Sequence, residues 1–132
     1  MGPSRILFLS GHPDDAQRLS EMVQSLPLAV DHAENLRQAR IRLQREEYEV
    51  LLTEVALPDG NWLDALSLAR EAPRDPVLIV TDRRADARFW SQALNLGAYD
   101  LLAQPFYEPE VRRILGYACS RRQVRQSRTA AV

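Results

Sequence analysis

The chain has no lysine: all seventeen of its basic residues are arginine. Chemistry that needs an ammonium group is therefore excluded, and arginine is no simple substitute, because its planar fork and permanent charge build a different kind of site. Cysteine is almost as scarce. Cys119 stands alone, so an internal disulfide and a multi-cysteine zinc site are both ruled out, a reducing compartment suits the chain, and a buried structural thiol is the expected role. Long apolar runs are missing too. The one near the N-terminus lasts only from Ile6 to Leu9, far short of a signal peptide or a membrane span, which gives a cytoplasmic expectation. Nor is there a charge imbalance: the formal net charge is −1, so no general electrostatic pull toward nucleic acid or a lipid surface is expected.

What is present suffices for one domain. With 132 residues, 45% of them apolar, one core can form and a second folded domain would not fit. Four apolar runs recur at roughly even intervals: Ile6 to Leu9, Val50 to Leu52 extending to Val55, Val77 to Val80, and Leu101 to Ala103. A weaker fifth, Leu28 to Val30, falls between the first two. They read as buried strands of a parallel sheet. Segments with helical spacing lie between and after them: Ala16, Leu19, Met22, Val23 and Leu26; Leu36, Ala39 and Leu43; Leu63, Leu66 and Ala69; Phe89, Ala93 and Leu96; Val111, Ile114, Leu115 and Ala118. Punctuation agrees with this division. Pro13 with Asp14 and Asp15 suits a helix first turn, Pro58-Asp59-Gly60-Asn61 a tight turn, Gly97 a helix end and Pro109 another helix start. Five strands alternating with five helices predict an α/β, doubly wound parallel sheet, with a domain over 1–120 and an Arg-rich polar tail or linker over 121–132. In such sheets sites lie beyond the carboxyl ends of the strands, which directs attention to Ser10, Gly11, Glu54, Thr81 and Gln104.

Three stretches resemble the receiver domain of bacterial two-component response regulators. Arg5-Ile6-Leu7-Phe8-Leu9 followed by Pro13 and Asp14 is similar to that family's first strand and helix entry. Leu52-Thr53-Glu54-Val55-Ala56-Leu57-Pro58-Asp59-Gly60-Asn61 resembles its phosphorylation-site strand and loop, with the proline four residues beyond the acid. Leu94-Asn95-Leu96-Gly97-Ala98-Tyr99-Asp100 and Gln104-Pro105-Phe106 resemble the fourth-helix exit and the fifth strand. The resemblance extends to about Cys119 and is nearest to receivers attached to enhancer-binding transcription activators. It implies a flavodoxin-like, CheY-like fold with strand order 2-1-3-4-5.

In that family an aspartate at the end of the third strand attacks a phosphoryl donor. Magnesium, held by that aspartate and an acidic pair after the first strand, neutralises charge, while a lysine and a hydroxyl support the phosphoryl oxygens. The resemblance places the acidic pair at Ser10 and Gly11, the phosphoacceptor at Glu54, the hydroxyl at Thr81, the lysine at Gln104 and the aromatic switch at Leu101. Only Thr81 matches. Glutamate carries its carboxylate about 1.5 Å farther out than aspartate, into the phosphoryl position, and Gln104 brings no charge. Asp14 and Asp15 are expected to cap and charge the first helix rather than to bind metal. Glu54 is then the one formal charge in the pocket, satisfied by hydrogen bonds from Ser10, Thr81 and Gln104, with no metal and no cofactor, magnesium binding being weak or absent.

The remaining signals are local. Trp62 is expected to pack against its loop as a hydrophobic anchor, the alternative being that it covers the pocket mouth. Trp90 is either an exposed hot spot on a partner face, to which Tyr99 is also assigned, or half-buried beside Phe89 and Ala93; Tyr99 lies two residues from Leu101, on the same strand face by alternation, where it would partly replace the aromatic switch. His12 and His32 lack a second ligand at metal spacing and read as solvated loop histidines. Arg121, Arg122, Arg125 and Arg128 lack interleaved aromatics and read as a solvated helix end or linker. The function expected is a non-enzymatic, phosphorylation-independent receiver working by contact with a kinase, an effector domain or a second copy of itself, without membrane or direct nucleic-acid binding. Two alternatives stay open: a fold reused to sense a small ligand or anion, and residual phosphotransfer through Glu54.

Overall fold

The computed structural model describes residues 2–84 and 86–131, with side chains as far as Ser120. Strand β1 (Ser4–Leu9) leads to α1 (Pro13–Met22), β2 (Leu28–Ala33), α2 (Leu36–Arg45) and β3 (Val50–Glu54). A short antiparallel ribbon, Ala56–Leu57 against Gly60–Asn61, precedes α3 (Trp62–Glu71), and β4 (Val77–Asp82), α4 (Ala87–Leu96), β5 (Asp100–Ala103) and α5 (Glu108–Ala131) complete the chain. The five long strands are all parallel, in the order β2-β1-β3-β4-β5. This is the doubly wound arrangement expected.

Alternation of side chains across the pleat divides the core into two layers. Leu7, Leu9, Leu51, Leu78, Val80 and Leu101 face α2, α3 and α4, where Ala39, Leu43, Ala65, Leu66, Ala69 and Ala93 meet them. Ile6, Phe8, Val50, Leu52, Ile79 and Leu102 face α1 and α5, against Leu19, Val111, Leu115 and Ala118. Covering both faces explains why the strands are nearly continuous apolar runs. All five residues of β3 are buried, so its last residue, Glu54, is held by a rigid element.

Local chemistry sets the boundaries. Asn35 caps α2 by accepting from Gln38 N, and Asp59 accepts from Leu36 N and Arg37 N of the same turn. Asn61 and Asp64 form a capping box on α3. Gly97 ends α4 at φ 128°, where a Cβ would lie 2.6 Å from the Arg70 guanidinium.

Several local expectations need correction. Leu63 and Leu96 are 44% and 48% exposed: the buried stripe of α3 is Trp62, Ala65, Leu66 and Ala69, and only Ala93 of α4 is fully buried. Strand β2 runs on to Ala33, so His32 belongs to the sheet and not to a connection. The backbone of α5 continues to Ala131, which agrees with the helix-end reading of the 121–132 stretch; the side chains of Arg121, Arg122, Arg125 and Arg128 lie outside the described residues. Among the described residues no helix is long and apolar enough to cross a membrane.

Candidate functional site

The carboxyl ends of β1, β3, β4 and β5 open on a cavity of about 540 Å³, lined by His12, Glu54, Thr81, Arg83, Phe89 and Gln104 among others. Parallel register sets Glu54 beside Thr81 and Asp82 beside Ala103. Of the residues chosen from the sequence, Glu54, Thr81 and Gln104 line it, while Gly11 and Ser10 reach it only through Glu54 and His12, and the contacts differ from those expected.

Glu54 is 8% exposed, and both its carboxylate oxygens are occupied. The Gly11 N–H donates to Oε1 at 3.0 Å, and His12 Nδ1 lies 3.2 Å from Oε1 and 3.0 Å from Oε2. An ionised carboxylate only accepts, so Nδ1 carries the proton in this contact. The ring is placed by a tight local turn in which His12 N donates to Ser10 Oγ at 2.9 Å. His12 is thus exposed on its connection, as expected, but is also a partner of the central acid. His32 is also engaged, donating from Nε2 to the Ser10 carbonyl at 2.7 Å.

Ser10, Thr81 and Gln104 do not satisfy Glu54, contrary to expectation. Ser10, fully buried, turns its hydroxyl to the His12 backbone. Thr81 donates to the Leu102 carbonyl at 2.7 Å, because β5 is its direct sheet neighbour. Gln104, 6% exposed, accepts at Oε1 from Arg83 Nε at 3.0 Å, and its Nε2 is buried without a hydrogen-bond partner among the described residues.

Nor is Glu54 the one formal charge. Arg83 donates from its NH2 group to Asp15 Oδ2 at 2.7 Å, while its Nε holds Gln104. A cation therefore sits beside the lysine-equivalent position, delivered from the loop after β4 and not from β5. Asp14 is exposed, as a first-turn acid should be, but Asp15 is buried at 8% exposure and makes no cap. Its direction was readable: Asp15 precedes Leu19 by four residues, on the buried stripe of α1. Arg83 carried no comparable signal, because a loop has no period.

Leu101 is buried in the layer facing α4, whereas Tyr99 packs in the opposite layer. Pleating begins only at Asp100, so the alternation that placed the two on one face does not reach Tyr99. Trp62 is buried against Phe89 in an edge-on contact with centroids 6.0 Å apart, which is the anchor role; Phe89, not Trp62, lines the cavity. Trp90 is half-buried beside the same layer.

A family model described as the response regulator receiver domain matches residues 6–115. The chain belongs to this family. Its similarity to the response regulator protein PilR of Pseudomonas aeruginosa is 30% identity over 120 residues, covering 89% of this chain and 26% of PilR. The chain therefore spans about a quarter of that relative. Among solved structures, the signal receiver domain of an HD domain-containing protein from Pseudomonas fluorescens Pf-5 superposes with a TM-score of 0.84 at 21% identity, over 97% of this chain and 95% of that one, a likeness of fold alone. The receiver domain of sensor histidine kinase PA1611 from Pseudomonas aeruginosa PAO1, with magnesium coordinated in its active site cleft, gives a TM-score of 0.76 at 26% identity, covering 90% of this chain and 99% of that one.

Proposed function

We propose that this receiver domain has lost phosphotransfer and acts by protein contact in the cytoplasm, through a kinase, an effector domain or self-association, without being an enzyme. The observation that supports this most is the closed state of Glu54. A carboxylate nucleophile needs a lone pair aimed at the phosphorus and a cation on the departing oxygens. Here both oxygens are engaged by Gly11 and His12, and the nearby guanidinium is already committed to Asp15 and Gln104.

At the family's own metal positions the donors do not suit magnesium. That ion requires near-octahedral oxygen coordination and usually binds through one or two carboxylates. At the family's positions Ser10 offers a hydroxyl already used by the His12 backbone, Gly11 offers no side chain, and a nitrogen, His12 Nδ1, occupies the near side of Glu54. The test is incubation with magnesium and a small-molecule phosphodonor, followed by intact-mass measurement. An unmodified mass is expected; acid-labile phosphate on Glu54 would refute the reading and support residual phosphotransfer instead. Reuse of the cavity for a small anion is the second reading, favoured by the unpartnered Gln104 Nε2 on its wall.

A further inference from the structure

We propose that His12, Asp15 and Glu54 form a binding site for a divalent transition ion of the zinc type. One ligand atom from each of the three lies within 4.8 Å of the others. The tightest edge, His12 Nδ1 to Glu54 Oε2, is 3.0 Å. Two ligands each about 2.0 Å from a tetrahedral ion stand about 3.3 Å apart, so an ion can replace the proton in this contact with little displacement of either side chain. Asp15, with its ligand atom within 4.8 Å of the other two, completes the set by a side-chain movement of no more than about 1.5 Å toward the tetrahedral spacing. Arg83 holds only its Oδ2.

The donor set decides the ion. One imidazole nitrogen and two carboxylates suit zinc and its first-row neighbours, whereas magnesium selects oxygen alone. The fourth position would face the cavity, which Glu54 and His12 line together with Gln104. Gln104 adds an independent indication. Its Oε1 is fixed by Arg83, so its buried Nε2 is left as a donor without an acceptor, and a water or anion on the ion would supply one. Asp15 comes from α1 and Glu54 from β3, both packed elements, and His12, on the connection just before α1 with its side chain 61% exposed, is the accessible arm through which an ion would enter.

The test is titration of the chelator-treated chain with zinc, and separately with cobalt, whose visible d–d absorption reports its ligands. One saturable zinc site is expected, unaffected by a thousandfold excess of magnesium. Its affinity should fall about tenfold or more in His12→Ala, His12→Gln and Glu54→Gln, and the cobalt spectrum should be lost with His12 but kept in Cys119→Ser. His12 is a surface residue, so its variants keep the fold. Zinc affinity unchanged in both His12 variants, or abolished instead by His32→Ala, would overturn the site, as would displacement of zinc by equimolar magnesium. Such a failure would leave the proposed loss of phosphotransfer standing, since that is read from phosphate on Glu54.

Discussion

Replacing Arg83 with methionine isolates the charge that the pocket acquires from outside the family positions. The substitution keeps much of the aliphatic stem and removes the donors to Asp15 Oδ2 and Gln104 Oε1. Asp15 would then hold a carboxylate 12% exposed with no cation, next to an amide with neither end paired. An unsatisfied buried polar group costs about 1–3 kcal/mol. The Arg83 side chain is itself 63% exposed, so water can enter where it leaves, and the lower half of that range applies, about 1–2 kcal/mol. Asp15→Asn should cost about 1 kcal/mol through the same pair. Because each variant already breaks the contact, the double variant should cost less than the sum, with a coupling of roughly 0.5–1 kcal/mol. Urea unfolding read by tryptophan fluorescence measures this, provided the slope m stays constant and only the midpoint moves. Coupling should shrink at high ionic strength. Additive effects would refute the pairing, and with it the claim that a cation from the β4–α4 loop stands beside the lysine-equivalent position.

Other outcomes follow from the same contacts. Burial, aided by the Glu49 carboxylate, pushes the Cys119 thiol up to about 12, so the stability it contributes is full below about pH 9 and is lost as pH rises toward 12; Cys119→Ala should flatten that alkaline limb, and in the native protein a thiol reagent at pH 8 should react only as fast as the domain opens. Burial acts to raise the Asp31 pKa, but hydrogen bonds from Tyr48 and Arg5 outweigh it and hold the group below its ordinary value. That stability is present above about pH 4 and lost as pH falls through the depressed value, a loss that Asp31→Asn should remove from acid-unfolding curves. Leu115→Ala, at a fully buried position of α5, should cost about 2–5 kcal/mol in urea. Joint replacement Ser10→Asp, Gly11→Asp, Glu54→Asp and Gln104→Lys should create saturable magnesium binding, because a Cβ at Gly11 meets Pro58 at an ordinary 3.5 Å; Gln104→Lys alone should not.

The sheet was legible because fully buried strands leave short apolar runs, and β3 and β4 show this most clearly. Helix existence was also legible, but which side chains of α3 and α4 face inward was not, since Leu63 and Leu96 fit an apolar spacing while pointing to solvent. Positions of the pocket residues followed from strand ends, whereas their partners did not. Glu54 is held by a backbone N–H and by a histidine on an irregular segment, and neither contact has a sequence period. Asp15 was readable in principle from its spacing to Leu19, but the preference for acids in a first helical turn explained it equally well. Tyr99 was misplaced because alternation was extended one residue beyond the pleat.

The most direct test of lost phosphotransfer is an amide NMR titration of the domain with magnesium and then beryllofluoride, following Gly11, Glu54, Thr81 and the α4 face. No saturable shift at these positions is predicted. Saturable shifts that begin at Glu54 and spread to α4 would show a working phosphoryl site and contradict the account.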